Sequence, residues 1–218
     1  MKFKDYVLII TINLVTTTLI VSYLTNKNTP GQANVSGVQT GPQAPQVDSM
    51  DDHHKPQPAE SGVFNSLLGQ KAPDFTLENY YGEKVTLSSL LGKNVVLFFN
   101  EGLMCYPACW NQIAAFGQDK RFTSADTVTY SIVVDPKKDW QQAVTKMPEL
   151  SGVPILFDTD ISVSQNYGVL SLDSSMHRGQ FPGHTYFLID KQGIVRFTQD
   201  DPQMAVRNEE LASQLNKI

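Results

Sequence analysis

Residues 94–110 read Asn-Val-Val-Leu-Phe-Phe-Asn-Glu-Gly-Leu-Met-Cys-Tyr-Pro-Ala-Cys-Trp. The run from Asn94 to Asn100 is almost continuously apolar, the pattern of a strand covered on both faces and placed centrally in a sheet. Proline suits a first helical turn, so a helix is expected to begin near Pro107. Trp110, Ile113, Ala114 and Gly117 then keep helical spacing, and Thr127 to Asp135 (Thr-Val-Thr-Tyr-Ser-Ile-Val-Val-Asp) returns to a strand. Strand, helix and strand in that order make a βαβ unit and point to the α/β class.

The same alternation continues downstream. Asp135-Pro136 has the form of a helix start, with Asp as cap, and Trp140, Ala143, Val144 and Met147 mark one apolar helical face. Ile155 to Asp158 reads as a short strand and Ile161 to Tyr167 as a short helix. His184 to Asp190, then Lys191-Gln192-Gly193, then Ile194 to Phe197 carry the signature of a hairpin, and Leu211, Leu215 and Ile218 give a closing helix. Upstream, Lys84 to Leu91 offers a strand and turn.

The 218-residue chain changes character before residue 63. Residues 1–5 are short and basic, and residues 6–24, YVLIITINLVTTTLIVSYL, form an almost uncharged stretch of about the length a tilted helix needs to cross a bilayer. Its apolar part is longer than that of a signal peptide and no small-x-small cleavage pattern follows, so an uncleaved transmembrane anchor is expected. Lys2 and Lys4 precede the span and Lys27 alone follows closely, which keeps residues 1–5 cytoplasmic and places the rest on the periplasmic or extracellular side. Residues 25–62, rich in Pro, Gly, Gln, Asn, Ser and Asp, lack apolar periodicity and are expected to form a disordered linker. Within it, Asp51-Asp52-His53-His54 has metal-binding residue types but no scaffold to fix their geometry, and reads as a solvated tract. Residues 63–218 then form one folded domain. The net charge of −5 and the lack of a dense Lys/Arg run remove the electrostatic basis for nucleic-acid binding.

The chain has two cysteines, Cys105 and Cys109. Random placement would bring two this close only about 4% of the time, so the spacing itself points to a shared role. Cys109 in the first helical turn and Cys105 just before it lie at the positive end of the helix dipole, which stabilises a thiolate. Three chemistries use such a pair. It is redox-active, or a fixed disulfide, or a clasp for Cu(I), which prefers soft sulfur, with His184 or Met104 as a further ligand.

Gly69 to Leu77, Val95 to Phe99, Pro154 to Asp160, Tyr167-Gly168-Val169 and Phe187 to Gly193 carry a resemblance that runs through residues 68–218. The chain resembles the redoxin group of the thioredoxin superfamily, and most closely the alkyl-hydroperoxide-reductase and thiol-specific-antioxidant, or peroxiredoxin, family. The resemblance implies a thioredoxin-like fold, a central mixed sheet flanked by helices. In that family the peroxide-attacking cysteine ends a Pro-x-x-x-Thr-x-x-Cys pattern, and Pro107-Ala108-Cys109 looks like its last three residues, which makes Cys109 the peroxidatic candidate. Tyr106 stands at the Thr position and Gly102 at the Pro position, and His184 matches the family's active-site Arg and the cis-proline slot of thioredoxins. The Cys-x-x-x-Cys spacing is also similar to Sco-type copper chaperones, although their ligand histidine falls where this chain has Pro182.

These readings predict a membrane-anchored thiol-disulfide oxidoreductase or peroxiredoxin-like antioxidant protein with Cys105, Cys109 and His184 at its catalytic site and no cofactor. Its partners are a hydroperoxide, or a protein disulfide or thiol, and an electron donor that regenerates the dithiol. The alternative is a copper carrier holding the metal on Cys105, Cys109 and His184, and a third possibility is a redox-inert interaction module. His177 and Arg178 are loop residues of secondary interest. Trp110 is expected to anchor the helix face and Tyr106 to pack at the surface.

Overall fold

The computed structural model describes residues 58–218. The expected anchor at residues 6–24, the Asp51-Asp52-His53-His54 tract and nearly all of the expected linker lie outside the described residues. Among the described residues no helix is long and apolar enough to cross a membrane.

The elements run α1 (Gly62–Ser66), β1 (Thr76–Asn79), β2 (Lys84–Thr86), β3 (Asn94–Phe99), α2 (Ala108–Gln118), β4 (Thr127–Val133), α3 (Lys137–Lys146), β5 (Ile155–Phe157), α4 (Ser162–Asn166), β6 (Thr185–Ile189), β7 (Val195–Asp200) and α5 (Asn208–Leu215). The seven strands form one sheet in the order β2-β1-β5-β4-β3-β6-β7. β3 pairs parallel to β4, and β4 parallel to β5, while β6 joins β3 and β7 joins β6 antiparallel. The sheet is therefore mixed, with helices on both faces, in keeping with the α/β thioredoxin-like expectation.

β3 is buried at all six positions because each of its faces has its own cover. Val96 and Phe98 pack with Ile113, Phe116, Phe122, Trp140 and Leu211 on one side. Val95, Leu97 and Phe99 pack with Phe64, Phe75, Tyr167 and Phe187 on the other. The period-two alternation of a strand divides the run in this way, and burying each large side chain contributes roughly 1.5–3 kcal/mol.

One local expectation changes. Asp135 does not cap α3; Pro136 is the capping residue, without a side-chain hydrogen bond. β3 and β4 are parallel neighbours, so the Asp135 carboxylate lies beside the loop that leaves β3 and there accepts the Leu103 N–H at 3.1 Å. The strand and turn expected over Lys84 to Leu91 are present as the strand Lys84–Thr86 and a 3₁₀ turn at Leu87–Leu90.

Candidate active site

The site is built where β3 hands over to α2. Cys109 is the second residue of α2, whose inner face is Cys109, Gln112, Ile113 and Phe116, a spacing of three and four that lays one stripe on the sheet. Cys105 precedes the helix, and its carbonyl accepts the Cys109 N–H at 3.0 Å. The Tyr106–Pro107 bond between them is cis. Both cysteines are buried and joined as a disulfide, with Cα atoms 5.4 Å apart.

Strand register brings the histidine to them. Phe99 faces Thr185 and Phe98 faces Tyr186 across the antiparallel β3–β6 pair, so His184 comes level with the first residue after β3, where the cysteine loop begins. His184 and Tyr186 are two apart on an extended chain and so face the same side, the side on which α2 packs. His184 Nδ1 lies 3.5 Å from Cys109 Sγ, and its Nε2 lies 2.7 Å from the Tyr186 hydroxyl. Burial lowers the His184 pKa from 6.5 to about 4, against a smaller upward pull from Asp201, so the imidazole is neutral at physiological pH. Burial likewise raises the Tyr186 phenol above its usual range.

The loop between β3 and α2 is held from both sides. Glu101, almost fully buried, accepts the backbone N–H groups of Met176 at 2.6 Å and His177 at 3.0 Å, and its other oxygen is 3.1 Å from His177 Nδ1. Trp110 donates its indole N–H to the Gly102 carbonyl at 3.1 Å, and the Tyr106 ring meets Trp110 edge-on at 5.0 Å. Burial raises the Asp135 carboxyl to about 6, the Leu103 N–H opposing that shift.

A sequence model of the AhpC/TSA family matches residues 68–198. The chain belongs to the AhpC/TSA family. Peroxiredoxin Bcp of Bacillus subtilis is 32% identical over 130 residues, covering 58% of this chain and 80% of that protein. The chloroplastic 2-Cys peroxiredoxin of Spinacia oleracea is 31% identical over 140 residues, covering 60% of this chain and 51% of that one. The chain spans about half to two thirds of the length of several curated relatives it matches. The crystal structure of peroxidoxin BcpB from Mycobacterium tuberculosis superposes with a TM-score of 0.55 at 24% identity, over 69% of this chain and 97% of that one. That likeness concerns the fold.

Within this AhpC/TSA domain, Cys105, Cys109 and His184 come together as the sequence led one to expect, their donor atoms all within 4.8 Å of one another. That closeness meets one requirement of the copper reading. The AhpC/TSA relatives, however, lend that reading no support. Met104 is 52% exposed and Tyr106 64% exposed on the outside of the loop. His177 belongs to the Glu101 cluster, and Arg178 pairs with Asp173. Sequence reasoning missed Glu101, Gln112 and Tyr186. The readable signals were a carboxylate directly after an apolar strand run and a glutamine inside the apolar stripe of α2.

Proposed function

We propose that this protein is a thiol peroxidase of the peroxiredoxin type in which Cys105 and Cys109 cycle between dithiol and disulfide and His184 serves beside them. The observation that supports it best is the Cys105–Cys109 disulfide at the head of α2, with His184 Nδ1 3.5 Å from Cys109, inside an AhpC/TSA domain. The Cys109 thiolate attacks one oxygen of a hydroperoxide, the O–O bond breaks, and Cys109 becomes a sulfenic acid with release of the alcohol or water. The Cys105 thiol then attacks that sulfur and displaces water, giving the disulfide. A thioredoxin-like protein dithiol returns two electrons and two protons to the pair. The anchor expected at residues 6–24 would hold this chemistry at a membrane, with the domain on the periplasmic or extracellular side.

The test is stopped-flow mixing of the reduced full-length protein with hydrogen peroxide, following Trp110 fluorescence and intact mass. We expect fast loss of two hydrogens per chain, abolished by Cys109→Ser. With Cys105→Ser one oxygen is gained at Cys109 instead. Thiol loss no faster than that of a free thiol would refute the peroxidase reading.

A further inference from the structure

The hydrogen bonds behind His184 fix where its proton sits. Gln112 Oε1 accepts the backbone N–H of Arg207 at 2.7 Å, and a backbone N–H can only donate. The Gln112 amide therefore cannot be flipped, and its other end is occupied, Nε2 donating to Asn208 Oδ1 at 2.8 Å. The Tyr186 hydroxyl, 3.0 Å from the same Oε1, must then be the donor of that bond. Among the described residues its only other oxygen partner, the Ala205 carbonyl at 3.5 Å, is again an acceptor. The phenol's one proton points away from the histidine, so toward His184 Nε2, at 2.7 Å, the phenol oxygen accepts. A neutral imidazole whose Nε2 carries the hydrogen has a bare lone pair on Nδ1, the atom facing Cys109.

We infer that Tyr186 and Gln112 are positioning residues that hold His184 in the Nε2–H form, so that its free Nδ1 takes the proton of the reduced Cys109 thiol. This rests on the peroxidase reading above. The proton moves from Cys109 Sγ to Nδ1, and the thiolate left beside the ring stabilises the imidazolium that burial alone disfavours. The thiolate attacks the hydroperoxide and gives two electrons to it as the O–O bond breaks. The departing alkoxide or hydroxide takes the proton back from Nδ1–H, leaving a sulfenic acid, an alcohol or water, and His184 again neutral. The opposite form, with hydrogen on Nδ1, would have no lone pair there to take the thiol proton. Behind the relay stands the 201–207 loop, in which Asp201 accepts the Ala205 N–H at 3.0 Å and binds the Arg207 guanidinium, which places the Arg207 N–H on Gln112.

The experiment is a long-range proton–nitrogen spectrum of the full-length protein labelled with ¹⁵N-histidine, in both redox states, with His184 assigned by its loss in His184→Gln. We expect the Nε2–H signature in the wild type. Tyr186→Phe keeps the ring stacked 4.9 Å from Phe98 but removes the hydroxyl. It is expected to lose the single tautomer and slow peroxide-driven thiol loss by about tenfold or more. Gln112→Leu, which removes the acceptor that orients the Tyr186 hydroxyl, is expected to move both measurements in the same direction as Tyr186→Phe. An Nδ1–H signature in the wild type, which needs no variant, overturns the inference. So does a Tyr186→Phe variant with unchanged tautomer and rate. If Cys109→Ser still consumed peroxide at the wild-type rate, the peroxidase reading itself would have failed, and the spectrum would separate the two cases.

Discussion

At the scale of single residues the cysteine loop depends on Gly102. Its φ of +61° lies in the left-handed region, and a Cβ there would collide with the carboxylate of Asp135. Two costs follow for Gly102→Ala, about 1–2 kcal/mol for the left-handed backbone and a further penalty for displacing a carboxylate bonded to Leu103. We therefore expect Gly102→Ala to cost about 2–4 kcal/mol of unfolding free energy, measured by urea unfolding. In an Asp135→Ala background only the backbone part should remain, and a double-mutant cycle measures the difference. Strictly additive losses would show that the two residues do not press on each other. Nothing local in the sequence announces this contact. Asp135-Pro136 is a good helix start by its residue types, and only the parallel placement of β3 beside β4 turns the carboxylate toward a loop more than thirty residues earlier.

At the scale of elements, α2 must lie at a fixed depth on the sheet for Cys109 to meet His184, and a pair of glycines sets that depth. A Cβ on Gly117, near the end of α2, would sit 2.5 Å from the Gly152 Cα after the 3₁₀ turn Pro148–Ser151. In an exposed helix, Gly→Ala stabilises by about 1 kcal/mol. Here the sign should reverse: Gly117→Ala is expected to destabilise by about 1–3 kcal/mol as helix and turn are pushed apart, measured by thermal and urea unfolding. A gain in stability would show that the close approach is dispensable. The elements themselves were largely legible, since β3, β6 and the face of α2 are long periodic signals. β1 was not, being four residues with an inward-facing Asn79 and two pairs to β5. The cysteine pair and His184 were legible from spacing and from a family pattern. Tyr186 and Gln112 were not, because 74 positions separate them and only the packing of α2 on β6 makes them partners.

At the scale of the whole molecule, two buried groups beside the cysteine loop give folding a pH dependence of opposite sign. Burial lowers His184 to about 4 in the folded protein, against 6.5 when unfolded, so between those values the unfolded chain binds the extra proton. Its contribution is fully present above pH 6.5 and is lost as the pH falls toward 4. Burial raises Asp135 to about 6, against 3.8 when unfolded, so there the folded chain binds the extra proton. The Asp135 contribution is fully present below pH 3.8 and is lost as the pH rises through 6. Each gap corresponds to roughly 3 kcal/mol, so in the wild type the two nearly cancel between about pH 4 and 6. Removing either one should expose the other. Relative to wild type, Asp135→Asn is expected to lose stability on going from pH 7 to pH 4.5, and His184→Gln to gain it, each by about 2 kcal/mol. Asp201 and Arg207, the charged groups nearest His184, are retained in all three proteins, so their effect drops out of the comparison. Urea unfolding at the two pH values decides it. Parallel pH dependence in all three would mean that His184 and Asp135 titrate alike in the folded and unfolded chains, and that the cysteine loop is far more open to water than its burial indicates.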